Sequence, residues 1–370
     1  MTGPWDPARL RARPVVLSGA PGVPVLGPSG ASAHLRAVAD ALGASCILAP
    51  LDVDHRGVAE RPCTPIHVGG AVEPRRWFPG WREHEEIAAG RRLRRGIEEA
   101  RPSLVWERHS LYCDAGWRVH ATHDVPWILE VNAPPALERA RWDRGVDAVL
   151  AERWERAVIA AAPRVVAVSR WLAQWCESLG AREVRYVPNG VVARAGDRSG
   201  TRRAMGLEDR LVIGFVGSGR RWHGVERVHG LLEALPHAVA VVVGPVSVAH
   251  PRALNVGVVP EARVADLVAA MDVALAPTRE DAPPWLCPLK LLHYRAQGTP
   301  VVATDVGDTR ELLGPEDLLI ARWEDAPDAV RSLAGRRHAP WVRPWTTVVA
   351  EAIAGAKAPG VACDGDSAAC

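Results

Sequence analysis

Lysine is nearly missing from this sequence. Of 45 basic residues only Lys290 and Lys357 are lysines, and the rest are arginines. A lysine kept against such a bias marks a place where arginine would not serve, unless chance left it there. Paired cysteines are missing too. The seven cysteines are scattered, odd in number and contain no C-x-x-C. That excludes a zinc ribbon or a disulfide framework and points to reduced thiols in a cytoplasmic protein. Net charge is small, +2 at pH 7, which leaves no case for nucleic acid or an anionic membrane surface as partner. The opening "MTGPWDPARLRARP" lacks the apolar core of a leader. The longest uncharged apolar stretch, "AVAVVVGPVSVA", is too short to span a bilayer. With 48% apolar and 24% charged residues, the remaining class is a soluble globular protein.

What is abundant is alternation. The 370 residues fit two domains, and Val/Ile/Leu runs alternate with helical patterns along both halves. Strands are expected near 14–19, 45–50, 103–108, 126–132, 164–169 and 183–188, then near 211–217, 238–244, 254–259, 272–277, 300–304 and 318–321. Helices are expected near 31–42, 83–100, 114–123, 135–162 and 170–179, then near 223–235, 261–271, 288–297, 324–334 and 341–356. Ser169 stands where an N-cap belongs. This pattern is α/β, two doubly wound domains with parallel sheets, in which ligands bind beyond the carboxyl ends of the strands. The first domain is expected over 1–190 and the second over 191–338, joined by the polar stretch 188–206. A separate helical segment at 339–357 and a disordered tail at 358–370 follow.

Two stretches of the second half suit a phosphate. In "WLCPLKLLHYRAQG", Pro288 fits a first helical turn and Gly298 a C-cap. Lys290 then lies beside free backbone N–H groups at the positive end of the helix, with His293 on the same face. In "GFVGSGRRWHGVE" a strand ends in Gly217-Ser218-Gly219, where small residues let backbone approach an anion, and Arg220, Arg221 and His223 add donors. The dinucleotide fingerprint fails here, because Trp222 stands where a glycine or alanine is required. Trp222 and Trp285 flank the two candidates; most of the other thirteen of the 15 tryptophans are expected in the core or on the surface.

The first half offers three further places. "LGPSGASAHLRAV" is a Gly-rich turn into a helix; either it is only a tight turn, or Ser29, Gly30 and Ala31 face a cleft. "WERH" and "LEVNAP" put Glu107, Glu130 and Asn132 at strand ends. A carboxylate there would act as a base or orient an acceptor, or Glu107 would simply pair with Arg108. "DVDH" (52–55) resembles a cation site only weakly.

The order of "VVAVSRWLAQWCESLG", "VPNGV", "GFVGSGRRWHGVE", "GVVPEARVADLVAAMDVALAP" and "PLKLLHYRAQGTPVVATDVGDTRELL" resembles the family 4 retaining glycosyltransferases of GT-B fold. The stretches "GPSGASAHLRAV" and "VWERHSLY…LEVNAP" resemble that family's first domain. The resemblance implies two Rossmann-like domains facing a central cleft and a nucleotide-sugar donor, UDP- or GDP-linked, held by the second. It implies an acceptor held mainly by the first, and neither metal nor other cofactor. It also implies that the last helix returns to the first domain around Trp345.

Carried onto this chain, the family pattern assigns Lys290 to the leaving phosphate and Asn132 to the catalytic cleft, where the strand-end reading above adds Glu107 as the other catalytic candidate. Gly217, Ser218, Gly219, Arg220, Arg221, His223, Trp285, Leu286, Cys287, Pro288, Leu289 and His293 would line the donor. Ser29, Gly30, Ala31 and Glu130 would line the acceptor. The chain departs from the family in holding Ser218 and His223 where the family has Arg and Lys, and Trp285 and His293 where it has two glutamates. The expected activity is metal-independent sugar transfer to a small soluble acceptor, in keeping with an Arg- and Ala-rich bacterial secondary-metabolite enzyme. The alternatives are a non-catalytic subunit supporting a partner, or a sugar-nucleotide epimerase.

Overall fold

The computed structural model describes residues 6–20, 23–27, 29–49, 66–68, 81–142 and 147–354. The "DVDH" segment and the 358–370 tail lie outside them. The chain forms two parallel sheets. The first contains β1 (Pro14–Ser18), β2 (Cys46–Ala49), β3 (Ile66–Val68), β4 (Leu104–Arg108), β5 (Trp127–Val131), β6 (Arg164–Ala167) and β7 (Val184–Tyr186). Its order is β3-β2-β1-β4-β5-β6-β7. The second contains β8 (Leu211–Val216), β9 (Ala238–Val243), β10 (Ala253–Gly257), β11 (Val273–Ala276), β12 (Val301–Thr304) and β13 (Leu318–Ile320), in the order β10-β9-β8-β11-β12-β13. Strand order reverses between β1 and β4 and between β8 and β11, which opens a crevice at the carboxyl end of each sheet.

The apolar runs are continuous because each sheet is covered on both faces. One face of the first sheet, with Val16, Trp106 and Ile128, packs under the helix Gly30–Leu42 and the helix Trp345–Ile353. The other, with Val15, Val105 and Leu129, packs against Leu93, Val119, Ile159 and Leu172. The Trp345–Ile353 helix is clamped there by Arg164, whose Nη1 donates to the carbonyls of Ala352 (3.1 Å) and Ile353 (2.7 Å). In the second sheet Val212, Val241 and Ala274 meet Leu267, Met271 and Leu292, and on the opposite face Ile213 and Val242 meet Leu231 and Val330.

All twelve expected strands are present to within a few residues, and Ser169 caps its helix by accepting from the Leu172 N–H. Two expectations need correction, and one strand was not expected. The helix expected over 135–162 is two, Pro135–Trp142 and Ala148–Ala161, because Asp147 accepts from the Leu150 N–H and starts a new one. The stretch 188–206 contains a helix, Arg198–Ala204, capped by Asp197 and fastened by Arg202 to Asp272. The short strand β3 carries no pattern long enough to read from sequence.

Candidate active site

The loop after β8 is shaped by glycine. Gly219 (φ 70°) and Gly224 (φ 65°) are left-handed, and a Cβ on Gly224 would collide with the Pro277 carbonyl. The loop is thereby drawn against the end of β11, whose following loop leads to the helix Leu289–Ala296. Here Lys290 is only 9% exposed, and its Nζ has no hydrogen-bond partner among the described residues. It sits 4.3 Å from the centre of the Phe215 ring at the end of β8. Burial pulls it down to about 7. His223, from the glycine loop, has an unpartnered buried Nδ1 and is pushed down to about 3 by burial, with Lys290 and Arg220 adding to the effect. His293, one turn after Lys290, is lowered to about 4 by burial. Both imidazoles are therefore neutral near pH 7. Between the ends of two strands the cluster thus holds one buried amine that, among the described residues, has no counter-ion.

Arg220 and Ser218 are exposed at its edge, Arg220 lying 5.9 Å over the Trp222 ring. Arg221 points away: its side chain is 85% exposed and lies 4.0 Å from Asp281. Trp285 also departs from the expected place. It is buried against the core of the first sheet, and its Nε1–H donates to Glu138 at 3.2 Å. Around it, Trp142 stacks on Trp222 at 5.0 Å, and Trp171 meets Trp285 at 5.1 Å. Trp285 thus joins the two sheets and does not offer a free face to a ligand. Leu286 accepts the Asp308 N–H, and Cys287, its thiol pushed up to about 12 by burial, packs between the two cores. Pro288 caps the Lys290 helix, and Leu289 reaches across: a Cβ on Gly30 would lie 3.3 Å from its Cδ1.

On the first-sheet side, Ser29, Gly30 and Ala31 begin the Gly30–Leu42 helix directly opposite Leu289. The Ser29 hydroxyl is already engaged as an N-cap, accepting from the Ser32 N–H at 3.1 Å. Glu130 is buried at the end of β5 and bonded to His34 Nε2 at 2.7 Å; burial raises its carboxyl, but His34, Arg108 and Trp106 together bring it below its ordinary value. His34 in turn lies 4.6 Å from the Trp345 ring. Asn132, just beyond β5, has a buried Nδ2 with no partner among the described residues.

Glu107 requires a larger correction. It is not at the mouth of the sheet and does not pair with Arg108. Successive strand residues face opposite ways. Glu107 lies fully buried beside Cys113, Gly116 and Trp127, where desolvation raises it to about 8. A sealed, protonated carboxyl cannot touch substrate or take a proton at neutral pH. Arg108 lies on the opposite face, that of Trp106, in register with Glu130 and only partly buried. Period-two alternation within "WERH" contained that signal.

Among the described residues no group of three or more His, Cys, Asp or Glu is placed to hold a metal ion, and no helix is long and apolar enough to cross a membrane.

Two family models match the chain: Glycosyltransferase Family 4 over residues 28–194, and Glycosyl transferases group 1 over residues 210–335. No curated protein matches it in sequence. Among solved structures, a sucrose-phosphate synthase from Thermosynechococcus elongatus is 17% identical, with TM-score 0.68, covering 92% of this chain and 94% of that one. HepE from Anabaena in complex with UDP-glucose is 14% identical, with TM-score 0.65, covering 92% and 95%. AviGT4, a glycosyltransferase involved in avilamycin A biosynthesis, is 16% identical, with TM-score 0.52, covering 92% and 93%. At these identities the structural likeness concerns the fold, which is the two-domain GT-B arrangement.

Proposed function

We propose that this chain, which belongs to the family 4 glycosyltransferases and is a sugar transferase, takes its sugar from a nucleoside diphosphate and retains the anomeric configuration. One observation carries the donor assignment. Lys290 is a buried amine with no partner among the described residues, beside a glycine loop at the switch point of the second sheet. Leaving a cation there without a partner costs on the order of several kcal/mol, and a diphosphate would remove that cost. Neutral His223 and His293 add hydrogen-bonding groups without competing charge. The HepE complex, similar in fold, has UDP-glucose as its ligand, which favours a uridine donor here.

In the reaction so read, the bond between the anomeric carbon and the diphosphate oxygen breaks, and that oxygen keeps the electron pair. Lys290 and the first turn of its helix meet the developing charge. The acceptor attacks from the face the diphosphate leaves, and its proton passes to a phosphate oxygen. No protein carboxylate is needed as base, in keeping with the sealed position of Glu107. Asn132, with its free amide donor, would hold a hydroxyl of the transferred sugar or of the acceptor. The expected setting is a small, soluble acceptor in the cytoplasm, in a biosynthetic pathway such as the one AviGT4 serves.

The test is calorimetric titration of the purified chain with UDP, GDP and NAD, repeated on Lys290→Ala. Binding of one diphosphate that the substitution weakens supports the site. If neither diphosphate binds, the donor reading fails and a supporting subunit of another enzyme becomes the better account.

A further inference from the structure

The first-sheet side of the cleft contains a second unsatisfied group of donors, independent of Lys290. Arg108 ends β4 in register with Glu130, and Asn132 follows Glu130 by two residues. All three therefore belong to the face that carries Trp106 and Ile128, beneath the Gly30–Leu42 helix. Arg108 Nη1 and Asn132 Nδ2 are both shut off from solvent without a partner among the described residues.

The acidic groups nearby do not satisfy them. Glu130 is bonded to His34, and Glu138 to Trp285. Both carboxylates favour the charged form of Arg108, against burial, but neither forms an ion pair with it. Buried donors are normally satisfied by protein, water or ligand, so these two are available to an acceptor from outside. The planar fork of a guanidinium fits the paired oxygens of a carboxylate or phosphate. The position is also informative. Glu130 pairs with His34 of the helix whose first residue, Gly30, meets Leu289, the neighbour of Lys290. The two donor groups thus lie on opposite sheets, linked through the contact of Gly30 with Leu289.

We propose that Arg108 and Asn132 form an anion subsite that holds an acidic group, phosphate or carboxylate, on the acceptor. The inference rests on the glycosyltransferase reading above and narrows it to acidic acceptors. The same chemistry has a second source, the diphosphate of the donor, and the experiment separates the two.

The protein is first saturated with whichever nucleoside diphosphate it binds, so that the Lys290 pocket is full. Inorganic phosphate is then titrated calorimetrically into wild type, Arg108→Gln, Arg108→Lys and Lys290→Ala. The expected result is phosphate binding to wild type and Lys290→Ala, weakened roughly tenfold or more in Arg108→Gln. Arg108→Lys should keep part of the affinity, as a charge without the fork. Diphosphate affinity should be unchanged by either Arg108 substitution, and matching thermal melts would show that the variants fold. Absence of phosphate binding in the saturated wild type overturns the proposal, as does binding indifferent to Arg108. Loss of diphosphate affinity in Arg108→Gln assigns the arginine to the donor, which also overturns it. If no diphosphate binds at all, the Lys290 reading fails by itself. Phosphate binding to the free protein, compared between Arg108→Gln and Lys290→Ala, still decides the subsite.

Discussion

The Trp285 indole N–H donates to the Glu138 carboxylate at 3.2 Å, and this bond ties the loop before the Lys290 helix to the Pro135–Trp142 helix on the other sheet. Removing one partner leaves the other buried and unpaired. Glu138→Ala is therefore predicted to destabilise the protein by about 1–3 kcal/mol. Trp285→Ala, which also empties an aromatic core position, should cost about 3–5 kcal/mol. Urea melts followed by tryptophan fluorescence would measure both. A Glu138→Ala melt superimposable on wild type would mean that the bond does not hold the sheets together.

Lys290 should show opposite effects on binding and stability. Lys290→Met keeps the apolar stem and removes an unpaired buried charge, so its thermal midpoint is predicted to rise. A charge-assisted hydrogen bond contributes about 1.5–3 kcal/mol, so diphosphate affinity should fall by roughly 10- to 100-fold. Scanning calorimetry and titration on the same sample would read both. A drop in both quantities would contradict the unpaired-cation account.

The same residue predicts a pH dependence. Its folded value, about 7, lies below the ordinary lysine value of 10.5. Below pH 7 both folded and unfolded chains hold the proton, and the folded form bears the full burial penalty. Between about 7 and 10.5 only the unfolded chain holds it, so this contribution makes stability rise with pH through that window. Diphosphate binding requires the charged form and should weaken above pH 7, with proton uptake on binding. Calorimetry at pH 8 in buffers of different ionisation enthalpy would detect that uptake, and Lys290→Met should abolish it.

Glu107 makes a contrasting case. Its folded value is raised from 4.5 to about 8, so its contribution makes stability fall as pH climbs from about 4.5 to 8. Glu107→Gln is nearly isosteric with the protonated acid. It is predicted to leave sugar transfer within about threefold of wild type and to flatten that slope, since losing a catalytic base would cost 10²–10⁴-fold. Rate measurements at pH 7 and melts from pH 5 to 8 would check it; a loss of a hundredfold or more would restore Glu107 as a catalytic group.

The sequence by itself determined the strand and helix plan. Parallel strands buried on both faces must be continuous apolar runs, and caps such as Ser169 are local hydrogen bonds. It also brought Lys290 into view, because the first turn of a helix after a strand end is a local arrangement. The tertiary structure alone decided which polar groups were already taken. Glu130 is occupied by His34, 96 residues away, and Trp285 by Glu138, 147 residues away. Glu107 is sealed under Gly116, while Nη1 of Arg108, its neighbour, has no partner among the described residues. A residue's type and spacing state what it can bond. Whether that capacity is spent inside the fold or kept for a ligand depends on partners distant in the chain, and only packing brings those together.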